Sequence, residues 1–145
     1  MAGRTWLDVR KDRQLRHAVE IRNESFVSED FVALLRKYGI GLVKADTVKW
    51  PLLMDVTSDL VYCRLHGSEE LYASGYSDEA LEMWANRVAL WSRGREVEEG
   101  KKASSKKGSI RSTRDVFVYF DNDLKVRAPF DALSLRERVS RLKGD

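Results

Sequence analysis

The chain has 145 residues, 43% of them apolar and 34% charged, which is typical of one soluble globular domain and not of a disordered chain. No apolar run approaches the ~20 residues of a membrane helix, and the first residues lack the apolar core of a signal peptide. A net charge of +3 and a single cysteine, Cys63, give no sign of a basic nucleic-acid-binding protein or an internal disulfide. We therefore expect a cytoplasmic protein with no membrane contact.

Hydrophobic periodicity predicts the order of secondary structure. Serine caps and glycine stops mark the helix ends. We expect a short helical stretch over 4–15, strands over 17–22, 40–46, 60–67 and 116–120, and helices over 28–39, 77–94 and from Ala128, with a capping box Ser134-Leu-Arg-Glu137 in the last. Long connections between the strands imply parallel pairing and an α/β fold.

The apolar stripes of these helices should face the sheet. They are Phe31, Leu34, Leu35 and Tyr38 in the first helix, Leu81, Trp84, Ala85, Val88 and Trp91 in the second, and Leu135, Val139 and Leu142 in the third.

Residues 93–114 have a different composition from the rest of the domain. They combine Gly and Ser with eight Lys or Arg and three Glu, so we predict a solvated, flexible loop within the single domain 1–145. No aromatic residues alternate with the basic ones to form a stacking platform, which argues against a nucleic-acid arm.

The strands carry a second, polar pattern. Within 60–67, Val61, Cys63 and Leu65 point to one face and three polar or aromatic side chains point to the other. The corresponding face of the four strands is predicted to present Glu20 and Arg22; Lys44 and Asp46; Tyr62, Arg64 and His66; and Phe117, Tyr119 and Asp121. In each strand the ionisable group lies toward the carboxyl end, where parallel α/β folds bind their ligands.

Two interpretations of this face stay open. The charges can pair with one another as a structural polar core, because isolated charges on an enclosed face are costly. Alternatively they form a pocket for a small anionic ligand, with Arg22 and Arg64 binding a carboxylate or phosphate and His66 acting as general acid or base. Lys44 can form a Schiff base only if desolvated, and a salt bridge is the better prediction.

A magnesium ion held by Asp121, Asp123, Glu20 and Asp46 is a weaker alternative, since two acids after a strand also shape turns. We assign no metal, and the sequence identifies no cofactor.

Several stretches recur, in this order, in a known family. They are Ala18-Val-Glu-Ile-Arg-Asn23 with Ser25-Phe26, Lys44-Ala-Asp46, Val61-Tyr-Cys-Arg-Leu-His-Gly67 with Tyr72 and Tyr76, and Val118-Tyr-Phe-Asp-Asn-Asp123 followed by Ala128 and Ala132. Together they resemble the DUF72 (YecE-like) family over about residues 15–135. The resemblance implies a TIM-barrel-like fold and a family whose biochemical function is not established.

The resemblance also implies site positions: Glu20, Arg22, Ser25, Asp46, Arg64, His66, Gly67, Tyr72, Tyr76, Asn122 and Asp123. A full barrel needs about 250 residues, so the chain is similar to the carboxyl-terminal half only. Four strands leave two open sheet edges. The expected partner is a second copy of the chain or a separate amino-terminal half-barrel.

We therefore predict a half-barrel with an enzyme-like pocket for a small anionic or sugar-like ligand. His66, Asp46 and Glu20 are its candidate catalytic residues, and the candidate ligand-binding residues are Arg22, Ser25, Arg64, Tyr72, Tyr76, Asn122 and Asp123. Two alternatives are an interaction module that binds nucleic acid or protein through 93–114, and a truncated, non-functional fragment.

Overall fold

The chain folds into parallel strands covered on one side by helices. The computed structural model describes residues 11–67, 75–122 and 126–144. Its elements are β1 (Ala18–Val19), α1 (Glu29–Tyr38), β2 (Gly41–Leu42), β3 (Lys44–Thr47), β4 (Leu60–Gly67), α2 (Asp78–Ser92), β5 (Asp115–Phe120) and α3 (Ala128–Lys143). This order confirms the predicted α/β class. The predicted helical stretch at 4–15 lies partly outside the described residues, and its described part, 11–15, is not helical.

Five short strands fill four strand positions. β1 pairs with β2, and β3, β4 and β5 pair in that order, all in parallel. β2 and β3 are separated only by Val43 and together replace the single strand predicted over 40–46. The strands thus form two hydrogen-bonded sheets, of two and three strands, and β2 leads directly into β3. Together they form one strand layer, called the sheet below, with the four strand positions expected for half of an eight-stranded barrel.

Local sequence signals determine most helix ends. Ser28 Oγ accepts a hydrogen bond from the backbone N–H of Phe31 at 3.2 Å, and Ser77 caps α2 in the same way. Gly94 ends the turn after α2 with φ of +71°, and a Cβ there would lie 1.8 Å from the carbonyl oxygen of Arg111, so only glycine fits. α3 begins at Ala128, with Pro129 in its first turn, so Ser134 lies inside the helix and does not start it.

The main core lies between the outer face of the sheet and the helices α2 and α3. Val61, Cys63 and Leu65 of β4 are all fully or almost fully buried there, which confirms the predicted apolar face of this strand. They pack against Trp84 and Trp91 of α2. The predicted stripe of α2 is confirmed, since each of its members is buried.

The predicted stripe of α1 is only partly right. Leu35 is buried, but Leu34 and Tyr38 are 51% and 64% exposed, and Val32 is buried in addition. α1 follows the edge strand β1, so the core covers one side of this helix and leaves the other in solvent.

An irregular segment, 51–58, lies where a barrel would have a helix after the second strand position. Leu53, Met54 and Val56 of this segment are buried. The basic segment 93–114 crosses it: Met54 N–H donates to the carbonyl of Lys101, and the Asp55 carboxylate accepts from the N–H groups of Ala103 and Ser104. The predicted flexible loop thus packs on the outer layer.

Lys44 and Asp46 do not join the predicted polar face. In the β3–β4 register, Lys44 pairs with Cys63 and Asp46 with Leu65, while Ala45 pairs with Arg64. Paired residues of parallel strands point to the same side. Lys44 and Asp46 therefore lie on the outer, helix-covered face, and this part of the prediction is wrong.

The Lys44 side chain is 1% exposed, and its ammonium donates to the backbone carbonyls of Leu42 and Asp55. The irregular segment 51–58 supplies the second carbonyl, which a regular helix would keep for its own hydrogen bonds. Burial lowers the pKa of Lys44 to about 8, and the nearby carboxylate of Asp55 opposes that shift.

This buried lysine predicts a pH dependence of stability. Between its folded pKa near 8 and its unfolded pKa of 10.5, the unfolded chain holds more of the proton, so stability rises with pH. From pH 8 to 9 the free energy of unfolding should rise by about 1 kcal/mol more in the wild type than in Lys44→Met.

Urea unfolding at several pH values, with both proteins measured side by side, checks this. The comparison cancels the opposing contribution of Cys63, whose pKa burial raises to about 12. Identical slopes in the two proteins would show that Lys44 stays protonated in the fold across this range.

Candidate functional site

Five side chains form a continuous polar chain at the carboxyl ends of the strands. Arg22 contacts Glu20, Glu20 contacts Arg64, Arg64 contacts Asp121, and Asp121 contacts His66. Four of them, all except Asp121, were assigned to the site from the sequence. Cation and anion alternate, so each charged group has an opposite charge as neighbour.

Arg64 holds the centre of this chain. Its Nη1 donates to Glu20 Oε2 at 2.9 Å, and its Nη2 donates to Asp121 Oδ2. Glu20 follows β1, Arg64 lies in β4 and Asp121 follows β5, so one guanidinium joins both edges of the sheet to its middle. Its side chain is 31% exposed, and that of Asp121 is 41% exposed. The ion pairs are therefore open to solvent.

His66 lies at the buried end of the chain. Its side chain is fully buried, and its Nδ1 is 3.2 Å from Asp121 Oδ2. Burial lowers the pKa of His66 below the ordinary 6.5, and the positive charge of Arg64 lowers it further, while Asp121 opposes both. At neutral pH the imidazole is therefore uncharged and can accept a proton.

Trp50 covers this end of the cluster. Its ring meets the His66 ring edge-on, with 5.4 Å between centroids, and the Arg22 guanidinium lies 4.1 Å from the centroid of the indole. Arg22 is thus held by Glu20 on one side and by an aromatic face on the other. In the sequence Trp50 precedes Pro51 between the strands predicted over 40–46 and 60–67, and no local pattern places it beside His66.

Three other predicted site residues form a separate network. Asp46 Oδ2 accepts from Tyr76 Oη at 2.9 Å and from Trp84 Nε1 at 3.1 Å. Asn122 Nδ2 donates to Asp131 Oδ2, which also accepts from the backbone N–H of Tyr76. Burial raises the pKa of Tyr76, and Asp46 raises it further.

This second network joins β3, the start of α2, the end of β5 and α3. It lies on the helix side of the sheet, so its contacts are those of a structural clamp. Asp131 is the member of this network that was not predicted. It is a buried aspartate in the first turn of α3, and no sequence pattern distinguished it.

The remaining predicted residues lie apart. Ser25 is exposed in a 3₁₀ turn, Glu24–Phe26, where its N–H donates to Asn23 Oδ1. Tyr72 and Asp123 lie outside the described residues. The catalytic and ligand-binding roles assigned from the sequence stay predictions for all of these positions.

The basic segment 93–114 lies at the other end of the sheet. Arg114 is buried and donates to the carbonyls of Ser58, Arg95 and Ser109. Other cations of the segment have partners too: Lys101 pairs with Glu24, Lys106 with Glu29 and Lys107 with Glu98. The use of this segment as a binding arm stays a prediction that these contacts do not favour.

Among the described residues, no three His, Cys, Asp or Glu side chains are grouped so that they can hold a metal ion. No helix within the described ranges is long and apolar enough to cross a membrane.

Comparison with solved structures identifies the same fold elsewhere. A DUF72 family protein of Thermotoga maritima superposes with a TM-score of 0.66 at 24% identity, over 90% of this chain and 47% of that one. A DUF72 family protein of Enterococcus faecalis V583 superposes with a TM-score of 0.65 at 20% identity, over 88% of this chain and 48% of that one. The chain thus spans about half the length of these proteins.

No curated protein matches the sequence. The family model described as "Protein of unknown function DUF72" matches residues 4–144. This match covers nearly the whole chain and agrees with the motifs and with the half-barrel fold. The chain belongs to the DUF72 family.

Proposed function

We propose that the polar chain from Arg22 to His66 is an acid–base active site for a small anionic ligand. The observation that carries the proposal is the alternation of Arg22, Glu20, Arg64, Asp121 and His66 at the carboxyl ends of the strands, ending on a buried imidazole. Parallel α/β folds place their ligands at this end of the sheet.

Arg22 and Arg64 supply the anion-binding part. A guanidinium carries five N–H donors, so each arginine can keep its contact with Glu20 and still bind a carboxylate or phosphate of the ligand. The Arg22 side chain is 59% exposed, which lets a ligand approach it from solvent. With His66 neutral, the two arginines and two carboxylates sum to zero, so an anion meets no net repulsion.

His66 and Asp121 supply the acid–base part. Asp121 is the exposed member of this pair and faces the ligand. His66 lies behind it, with Nδ1 toward Asp121 Oδ2, the oxygen that also accepts from Arg64. A proton taken from a ligand hydroxyl or acidic C–H group changes the charge of this pair from −1 to 0. Arg64, bound to Asp121, orients the carboxylate and lowers the proton affinity of His66.

The pKa of His66 tests the electrostatic part of this proposal. We expect it below 6.5 in the wild type, lower still in Asp121→Asn, which removes the negative neighbour, and higher in Arg64→Ala, which removes the positive one. Titration of the imidazole signals by NMR measures all three values.

The chain has two histidines, and the spectrum of His66→Gln, which retains only the exposed His17, assigns the imidazole signals of His66. If the His66 pKa did not change in either variant, an electrostatic interaction of His66 with Asp121 and Arg64 would be ruled out.

Anion binding is tested with inorganic phosphate and malonate as probes. At a free concentration ten times its dissociation constant, a probe that binds only the folded protein should raise the free energy of unfolding by about 1.4 kcal/mol. We expect this stabilisation in the wild type and its loss in Arg64→Ala.

Arg16→Ala is the matched control. Arg16 pairs with Asp115 at the opposite end of the same sheet, so its removal changes the net charge equally without touching the proposed site. Equal loss of stabilisation in both variants would mean that the anions respond to overall charge and that the site does not bind them.

A further inference from the structure

The inner face of the half-barrel is an unpartnered surface. It encloses an open cavity of about 480 Å³ lined by Arg16, Ala18, Val43, Leu60, Tyr62, Phe117 and Tyr119. Tyr62 and Tyr119 stack on each other with ring centroids 5.1 Å apart. Phe117 is 43% exposed and Tyr119 52% exposed. Large aromatic side chains grouped on one face mark an interaction surface more often than a solvent-facing sheet.

The edges of the sheet are unpartnered as well. β1 and β5 lie at opposite ends of the strand order, and each has a neighbour on one side only within the described sheets. All strands run in the same direction. The β5 edge can therefore continue in parallel into a β1 edge, as in a barrel of eight strands.

We infer that a second copy of this chain occupies the inner face, so that two half-barrels close one eight-stranded barrel. A two-fold axis along the barrel axis preserves strand direction and places β5 of each copy beside β1 of the other. Both seams are then identical, as a closed two-fold dimer requires. This inference rests on the fold and does not depend on the proposed function.

The side chains on the two sides of such a seam are complementary in size. β5 contributes the large rings of Phe117 and Tyr119, and β1 contributes the small side chain of Ala18. Large residues beside small ones are what a barrel interior needs to fill its layers. Charges at the two ends of this face are already paired within one chain, through Arg16 with Asp115 and Arg64 with Glu20, so two copies meet without unpaired like charges.

The helix layer shows the same complementarity. α3 follows the edge strand β5 and exposes Phe130 and Leu133, at 66% and 48%. α1 follows the other edge strand and exposes Leu34 and Tyr38. In the closed barrel, α3 of one copy lies next to α1 of the other, so each seam buries both apolar groups. The similar solved chains are about twice as long as this one, which leaves room in that fold for a second half of equal size.

Light scattering across a dilution series tests the inference. We expect a molar mass of twice the 16.7 kDa of one chain. Phe117→Asp should raise the dissociation constant more than about 100-fold, because closure would bury an unpaired carboxylate in the apolar layer. Tyr38→Asp, on α1, should also raise the dissociation constant, because it places a charge in the contact between α1 of one copy and α3 of the other.

Ile110→Asp is the matched control. Ile110 is 99% exposed in the basic segment, away from the inner face, and its substitution should leave the dimer unchanged. A monomer at every concentration would overturn the inference and leave a separate half-barrel chain as the occupant. A dimer that survives Phe117→Asp would overturn it too, because the two copies would then meet through another surface.

Discussion

The strict alternation of side chains along β4 is the constraint on which the rest of the structure depends. β4 pairs with β3 on one side and β5 on the other, so its backbone is fixed in the middle of the sheet. Val61, Cys63 and Leu65 then have to enter the helix-covered core, and Arg64 and His66 have to point to the inner face. A shift of one residue would place an arginine in the core and would expose three apolar side chains. Core and candidate site are thus two consequences of one register.

The same constraint explains which predictions from the sequence succeeded. Alternation within 60–67 and the serine caps of α1 and α2 are local signals, and the structure has these elements where the signals placed them. The face of Lys44 and Asp46 was not predictable in the same way. It depends on which residue of β3 lies opposite Arg64, and β2 and β3 are separate short strands whose register is set by their neighbours.

Contacts between distant segments account for the other differences. The segment 51–58, which has no regular structure, takes the place of a helix, and the basic segment covers it through contacts with Met54 and Asp55. Amino-acid composition alone indicated a solvated loop there. Similarly, Asp121 became central to the candidate site because Arg64 and His66 both reach it. No spacing in the sequence distinguishes it from the neighbouring Asp123.

The family motif divides into two spatially separate groups of residues in the structure. Asp46, Tyr76 and Asn122 connect their secondary-structure elements through hydrogen bonds on the helix side. Asp131 accepts from both Tyr76 and Asn122. Glu20, Arg22, Arg64 and His66 lie on the inner side at the mouth of the half-barrel. Buried groups that are hydrogen-bonded to one another, such as those of the first set, are expected to stabilise the fold. Charged groups left partly open to solvent contribute little stability, and their exposure leaves them accessible to a ligand.

This division is the central claim, and the free energy of unfolding of Arg64→Ala tests it most directly. Arg64 is 31% exposed and its partners are partly solvated, so the account predicts a loss of about 1 kcal/mol or less. Asp131→Ala, measured in the same urea titration, should cost more, because it leaves buried donors of Asn122 and Tyr76 without their acceptor. A loss of about 3 kcal/mol or more for Arg64→Ala would contradict the account. The polar chain would then be a structural core, and the inner face would have lost its candidate site.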